Sequence, residues 1–455
     1  MRLHFIGVGG SGMSAVAQLW SARGAIVTGT DRKRSAYFDA LEAAGIDVRV
    51  GEQPHLVDGA DIVVISTAVR ESNPELARAR ELGAEVWHRS EALAAALHGA
   101  TLAAVAGSHG KTTTSAMVAT ALHGAGIDAS FAVGARVFGV DGAVAGGYAG
   151  TSGIAVVEAD ESDGSFLRYR PAVGVVTNVE ADHFDRYHDL DALHQAFVDF
   201  AASSGVVIVC ADDPGARKVG DAARELGSAV LTYGADESRE PDALVTPDAV
   251  VREGVSRTLT LPLPGAHNRL NAAAAWLAAV ELGADPDRAA AALARFAGTG
   301  RRFQLRGEAA GVRVIDDYAH HPTEVEALLS AARGAGAGHL VIVFQPALFS
   351  RTKALAREFG AALSIADADV VLAPVHGDRE DPIPGVSSEL IAQAVALREG
   401  QSLELAPSLE DAARRAAELA RPGSVVLTVG SGTVTNAAQW ILDALEERDG
   451  KAALS

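Results

Sequence analysis

A short run, Gly107-Ser108-His109-Gly110-Lys111-Thr112-Thr113, carries the residue types needed to hold a polyphosphate. Glycines let backbone N–H groups crowd around phosphate oxygens. A lysine adds a full positive charge, and a threonine hydroxyl can ligate Mg²⁺. The apolar run Leu102–Ala106 before it reads as a buried strand, and residues 115–122 after it read as a helix. Strand, glycine-rich turn, Lys-Thr and helix form the layout of a phosphate-binding loop for ATP or GTP. The general G-x-x-x-x-G-K-[ST] pattern wants a glycine where Val105 stands; here the first glycine is Gly107. The bland alternative is a glycine-rich turn capped at a helix start. Lysine is rare in this chain, with Lys33, Lys111, Lys218, Lys353 and Lys451 standing among 39 basic residues. One of the five falling inside the loop argues for a role.

Carboxylates follow at strand ends. Glu158-Ala159-Asp160-Glu161-Ser162-Asp163 closes the apolar run that starts at Ile154, where an acid can hold Mg²⁺ or its waters. Asn178-Val179-Glu180-Ala181-Asp182-His183 closes another such run, and His183 is a candidate ligand for a second metal. Asn268 and Asn271 lie three apart near a helix start, either reading adenine edges or capping the helix. Asp316-Asp317-Tyr318-Ala319-His320-His321-Pro322-Thr323-Glu324 first suggests zinc, but there is no cysteine partner. Substrate contact or proton handling is preferred there, and Pro322 explains part of the run as a helix start.

At the other end, Gly7-Val8-Gly9-Gly10-Ser11-Gly12 follows the first strand, and Asp31 ends the second. This G-x-G-x-x-G reads as a diphosphate site: NAD with Asp31 on a ribose, a UDP-sugar, or a tight turn without ligand.

The elements that must position these residues alternate β and α. Strand signals fall at Leu3–Gly7, Ile26–Gly29, Val48–Val50 and Ile62–Ser66, with helix-like stretches at 12–22, 35–44 and 74–82. That spacing predicts a parallel, doubly wound sheet. Three blocks follow, 1–99, 100–299 and 300–455, with a hinge expected at Gly298-Thr299-Gly300 and a Pro-, Asp- and Glu-rich stretch at 234–256. A chain of 455 residues with 48% hydrophobic residues can build several cores. Its net charge of −19 disfavours nucleic acid and anionic membranes as partners. The lone Cys210 excludes an internal disulfide framework. No apolar run reaches ~18 residues, so a cytoplasmic protein without membrane insertion is expected.

Taken together the motifs resemble the Mur ligases of bacterial cell-wall synthesis. The carrying residues are Gly7–Met13, Gly107–Thr113, Glu158–Asp163, Asn178–His183, His267–Asn271, Arg301–Gln304 and Asp316–Glu324, in order over nearly the whole chain. The compact phosphate loop is the family's form. The Gly7–Met13 and Asp316–Glu324 runs point to the branch that adds L-alanine to UDP-N-acetylmuramate.

The resemblance implies an α/β fold of three domains. They are an N-terminal Rossmann-like domain for the UDP-sugar (1–99), a central phosphate-loop ATPase (100–299) and a C-terminal Rossmann-like domain for the amino acid (300–455). It implies ATP and Mg²⁺, and an acyl-phosphate intermediate in peptidoglycan precursor synthesis. By resemblance Gly107, Ser108, His109, Gly110, Lys111, Thr112 and Thr113 hold phosphates, while Asn268, Asn271 and Arg302 bind the nucleotide. Thr112 and Glu158 hold one metal and His183 a second. Gly9, Gly10, Ser11, Gly12, Met13 and Asp31 bind the UDP-sugar, and Tyr318, His320 and Arg351 contact the alanine. Lys111, Glu158, His183, His320 and Arg351 form the implied catalytic set.

Two features refine the match. Sister ligases use a carbamylated lysine near the second metal, but no lysine lies between Lys111 and Lys218 here. The family commonly has Q-P-H, then Arg or Leu, an aromatic residue and R-T. Here the run is Gln345-Pro346-Ala347-Leu348-Phe349-Ser350-Arg351-Thr352, so Ala347 and Phe349 replace a His and a Tyr. The alternatives carried are a recycling ligase that adds a whole peptide, an NAD-linked oxidoreductase and a non-catalytic nucleotide-binding regulator. Oligomeric state stays open, a homodimer included.

Overall fold

The computed structural model describes residues 1–181, 186–365, 367–377, 380–398 and 400–454. The chain divides into two compact units. Unit 1 is Met1–Pro262 with Asn268–Thr299, and unit 2 is Leu263–His267 with Gly300–Ser455. The break at Thr299/Gly300 falls inside the expected hinge. Among the described residues the strands form three sheets, two in unit 1 and one in unit 2.

The first sheet takes β1 (Arg2–Ile6), β2 (Ile26–Asp31), β3 (Asp47–Val50), β4 (Ile62–Ile65) and β5 (Glu85–His88). Its order is β3-β2-β1-β4-β5, all parallel. Helices α1 (Ser11–Ala22), α2 (Ala36–Ala43), α3 (Pro74–Leu82) and α4 (Arg89–Ala96) connect the strands. This order reverses at β1, which puts a ligand crevice at the C-terminal end of that strand. The glycine-rich turn Gly7–Gly10 sits there.

The second sheet contains β6 (Thr101–Ala106), β7 (Ser130–Ala132), β8 (Gly147–Tyr148), β9 (Ile154–Glu158), β10 (Val173–Val176), β11 (Val206–Cys210), β12 (Ala229–Gly234), β13 (Ala243–Val245), β14 (Ala249–Arg252) and β15 (Val255–Thr258). Parallel β6 lies between β9 and β10, with Val105 beside Glu158 and Ala106 beside Val176. The acidic run and the Thr177-Asn178 pair therefore emerge on either side of the phosphate loop. The stretch 234–256 is not a plain loop: β13, β14 and β15 add an antiparallel extension to the sheet.

Helices α5 (Lys111–Gly124), α6 (Leu190–Ala202), α7 (Pro214–Glu225), α8 (Ala266–Glu281) and α9 (Pro286–Leu293) accompany it. Residues 112–119 of α5 and 271–279 of α8 are buried without a break. A helix buried all round shows no amphipathic period. Its small residues let it approach its neighbours closely instead, and a Cβ on Gly124 of α5 would overlap Ala292 of α9.

In unit 2 the strands are β16 (Gln304–Ala309), β17 (Val312–Asp317), β18 (His339–Phe344), β19 (Ala368–Leu372), β20 (Leu403–Leu405) and β21 (Ser424–Val429), ordered β16-β17-β21-β18-β19-β20. Only the β16–β17 pair is antiparallel. Helices α10 (Pro322–Gly334), α11 (Phe349–Ile365), α12 (Glu389–Ala392), α13 (Leu409–Leu419) and α14 (Ala437–Leu454) complete the unit. Two apolar clusters, one on each face of this sheet, supply its core; Phe344 and Phe359 anchor one, Val341 and Ile441 the other. Cys210 is a buried free thiol, its pKa pushed up to about 11 by burial. Among the described residues no helix is long and apolar enough to cross a membrane.

Candidate active site

The phosphate loop is clamped from the end of β10. Asn178 accepts the His109 N–H through Oδ1 at 2.8 Å and donates from Nδ2 to the His109 carbonyl at 3.0 Å. Thr177 Oγ1 donates to the same carbonyl at 2.6 Å. The glycines are needed for this fit. Gly107 has φ +133° and a Cβ there would run into Thr177 Oγ1; Gly110 has φ +82° and a Cβ there would lie 2.9 Å from Asn271 Oδ1. Asn268 and Asn271 are both buried and both inside α8, which begins at Ala266, so the capping alternative is excluded.

The structure separates the acids of the 158–163 run by role. Lys111 Nζ donates to the Gly107 carbonyl at 2.7 Å and to Glu161 Oε1 at 3.0 Å. Burial works to lower the Lys111 pKa, but the negative charges of Glu161, Asp160 and Glu158 outweigh it and hold the amine protonated. Asp160 stays below the usual carboxylate range: burial pushes it up, while Lys111 and hydrogen bonds from Ser162 pull it further down. Glu158 accepts from Thr112 Oγ1 at 2.9 Å and from the Gly134 N–H at 2.7 Å. Ser108 and Glu180 are tied by a hydrogen bond from the Glu180 N–H to Ser108 Oγ at 2.9 Å, and Glu180 Oε2 lies 3.4 Å from His109 Nε2. His183 lies outside the described residues.

The N-terminal turn is built by β2. Thr30 O accepts both the Gly7 and Val8 N–H groups at 2.8 and 2.9 Å. Asp31 Oδ2 accepts the Gly9 N–H at 3.0 Å, and Ser35 Oγ donates to the Gly9 carbonyl at 2.7 Å. In this arrangement Asp31 shapes the turn. Gly10 precedes α1 without any side-chain cap, leaving amides of Ser11 and Gly12 at the helix start. Met13 is buried and seats α1 on the core. Beneath the turn, buried Glu75 accepts from Thr30 Oγ1 at 2.7 Å and from the Gln53 N–H at 2.6 Å.

Unit 2 brings Tyr318, His320 and Arg302 together at the end of β17. Arg301 and Arg302 lie over the Tyr318 ring at 4.8 and 5.0 Å from its centroid. The His320 ring meets that of Tyr318 edge-on at 5.2 Å. His320 Nδ1 lies 3.0 Å from the Tyr318 carbonyl, which can only accept, so Nδ1 carries the proton and Nε2 keeps a lone pair. Burial, with Arg351 and Arg302 opposing Glu324, pushes the His320 pKa down to about 4. The neighbouring histidines do not form a zinc pair: His321 caps α10 in a capping box with Glu324, which also accepts the His320 N–H at 2.9 Å.

Asp316 and Asp317 diverge. Asp316 is buried among Thr428, Thr435 and Arg301, at 2.8, 2.7 and 3.3 Å. Asp317 accepts the Phe303 and Ala319 N–H groups at 2.7 and 2.8 Å, and burial pushes its pKa up to about 6. Arg351 lies in the first turn of α11. Ala347 is buried and bridges His376, whose N–H donates to the Pro346 carbonyl at 2.8 Å.

Sequence reasoning missed the Asn178 clamp, the Glu161–Lys111 pair, Arg301 against Tyr318, and Arg89. The last opens α4, and its guanidinium lies against Gly12. Signals existed for Asn178 and Glu161, whose places at strand ends beside the loop marked them as facing it, and for Arg301, which opens the Arg301–Gln304 run; Arg89 had none.

Fold and site together define an α/β phosphate-loop protein whose lysine is ringed by acids. The chain matches the Mur ligase family, catalytic domain over residues 2–101, the Mur ligase middle domain over 105–279 and the Mur ligase, glutamate ligase domain over 301–432. It belongs to the Mur ligase family. It is 51% identical over 98% of its length to a UDP-N-acetylmuramate–L-alanine ligase of Kineococcus radiotolerans, covering 97% of that protein. It is 49% identical to the ligase of the same name from Renibacterium salmoninarum, over 98% of this chain and 96% of that one. Among solved structures, the UDP-N-acetylmuramate–alanine ligase of Thermotoga maritima superposes with TM-score 0.79 at 26% identity, over 99% of this chain and 100% of that one. A murein peptide ligase of Psychrobacter arcticus gives 0.73 at 25% identity, over 98% and 99%.

Proposed function

We propose that this protein is an ATP-dependent ligase joining L-alanine to the lactyl carboxylate of UDP-N-acetylmuramate in cytoplasmic peptidoglycan precursor synthesis. The reading is carried by an intact phosphate-loop constellation in a chain 51% identical, over 98% of its length, to a protein of that name. On this reading residues 1–99 bind the UDP-sugar, 100–299 bind ATP and 300–455 receive the amino acid.

A carboxylate is a poor electrophile. One of its oxygens attacks the γ-phosphorus, the β–γ bridging P–O bond breaks, and ADP leaves with an acyl phosphate formed. The alanine amine then attacks the acyl carbon, and inorganic phosphate departs with the former carboxylate oxygen. Catalysis of these steps is positioning and charge neutralisation. Lys111 supplies the fixed positive charge at the γ-phosphate, exchanging its contact with the Gly107 carbonyl for phosphate oxygens. The amides of 108–113 cradle the remaining phosphates. Asn268, Asn271 and Arg302 bind the nucleotide.

The hydroxyl of Thr112 and the carboxylate of Glu158, 2.9 Å apart, form an all-oxygen donor set that suits Mg²⁺. These two residues would hold the ion, which neutralises phosphate charge when bound. His183 is the second-metal ligand implied by the family. His320, neutral and with Nε2 as acceptor, hydrogen-bonds the amino-acid amine, while Arg351 pairs with its carboxylate.

The test is ADP release with ATP, Mg²⁺ and UDP-N-acetylmuramate fixed and the amino acid varied. L-Alanine should give the highest kcat/KM. The peptide-adding reading, favoured by the Psychrobacter likeness, holds instead if an L-alanyl tripeptide outpaces free alanine. ADP release at the full rate with no amino acid at all would exclude both.

A further inference from the structure

Arg89 joins two regions of unit 1 that the ligase reading uses separately. Its guanidinium lies against the first turn of α1, where a Cβ on Gly12 would collide with it. The same group is 3.6 Å from Asp163 Oδ2. Its charge also helps keep Asp160 ionised, and Asp160 in turn acts on Lys111. A line of charged groups therefore runs from the glycine turn through Arg89 and the acids Asp163 and Asp160 to the phosphate-loop lysine. On the ligase reading a single substrate must span that line. Its diphosphate lies at the turn and its carboxylate at Lys111.

The placement of Arg89 favours a further anion. It is the first residue of α4 and it lies against the first turn of α1, so its positive charge faces the positive ends of two helices. Its contact with Asp163 is longer than a good charge-assisted bond of about 2.7–2.9 Å. A quarter of the side chain remains exposed, within reach of a ligand. A planar guanidinium beside a glycine turn presents parallel N–H groups to two oxygens of one phosphate.

We infer that Arg89 binds the phosphate nearer the sugar in the UDP-sugar's diphosphate, and so sets the direction in which the sugar acid runs towards Lys111. Asp163 is the positioning residue that keeps the guanidinium at the turn. The inference rests on the ligase reading, and only the contact it adds is new.

The test is calorimetric titration of the full-length protein with UDP-N-acetylmuramate, UDP, UMP and ADP. Wild type is compared with Arg89→Ala and Arg89→Lys, with melting temperature read in parallel. In Arg89→Ala the Kd for UDP and UDP-N-acetylmuramate should rise about tenfold or more, as loss of a bidentate charge-assisted contact implies. UMP, which lacks the second phosphate, and ADP, held by the phosphate loop, should bind as before. Arg89→Lys should fall between, since a point charge replaces the fork. Undiminished UDP binding by both variants would overturn the assignment. So would an equal loss for UMP and UDP, or a loss that tracks melting temperature, either of which marks a structural role. Should Arg89→Ala not fold, the ratio of UDP to UMP affinity in Arg89→Lys decides. A wild type that binds neither UDP nor UDP-N-acetylmuramate would overturn the ligase reading itself.

Discussion

The phosphate loop of unit 1 and the β17 edge of unit 2 solve opposite electrostatic problems. At the loop burial is overcome by opposite charge: Lys111 stays protonated among Glu161, Asp160 and Glu158, and Asp160 stays below the usual carboxylate range. At the β17 edge burial wins: His320 is pushed down to about 4, so the base is neutral, and Asp317 is pushed up to about 6, so the acid titrates well above the usual carboxylate range. The difference fits the two chemistries assigned to them. A phosphate in flight needs fixed charge, whereas an amine about to attack needs an acceptor that does not surrender a proton to it.

That contrast can be broken at three places, and a fourth variant, outside both regions, reads stability alone. Lys111→Ala should cost the most, a fall in kcat of about 10³-fold or more by loss of fixed charge at the transferring phosphate. UDP-N-acetylmuramate affinity, measured by titration, should survive. Loss of UDP-sugar binding as well would show that the charge serves the first domain too. Glu158→Gln should lower kcat about 10²-fold and raise the Mg²⁺ concentration needed for half-maximal ADP release. An unchanged Mg²⁺ requirement would remove Glu158 from the metal's donor set.

His320→Gln should raise KM for L-alanine about tenfold, the worth of one hydrogen bond to a charged group, with KM for ATP unchanged. Because the folded His320 pKa is lowered, the ring stays neutral above about pH 4. The His320-dependent part of that KM should therefore be flat between pH 6 and 8. A titration near pH 6.5 that vanishes in the variant would show a charged imidazole and undo the contrast.

Glu75→Gln should have the smallest effect on turnover and should act on stability instead. Burial raises the Glu75 pKa, but the His4 imidazole 3.9 Å away and hydrogen bonds from Gln53 and Thr30 bring it below its ordinary value. A lowered acid adds stability above the unfolded carboxyl range and loses it as pH falls through the folded value. The variant should lose about 1–2 kcal/mol near neutrality and show a flatter acid limb in chemical denaturation.

The strands beneath both sites were legible because parallel strands buried on both faces are near-continuous apolar runs, as in Val206–Cys210 and Ser424–Val429. Their ends marked the acids and histidines for attention. Edge strands β13–β15 were not legible. They are short and partly polar, and they become strands only by pairing with β12 and one another. The division of labour within Glu158–Asp163 was equally hidden, since it depends on the register of β9 against β6. Val105 opposite Glu158 sends that side chain to Thr112, and the turn that follows returns Glu161 to Lys111. Arg89 carried no motif at all: its neighbours Gly12 and Asp163 are remote in sequence and meet it only in the fold.

In the proposed reaction a γ-phosphate passes to a carboxylate before the amide forms. UDP-N-acetylmuramate labelled with ¹⁸O in its lactyl carboxylate, turned over with ATP and L-alanine, tests it directly by mass spectrometry of the released phosphate. One labelled oxygen should appear in the inorganic phosphate for each amide formed. Unlabelled phosphate accompanying amide formation would contradict it.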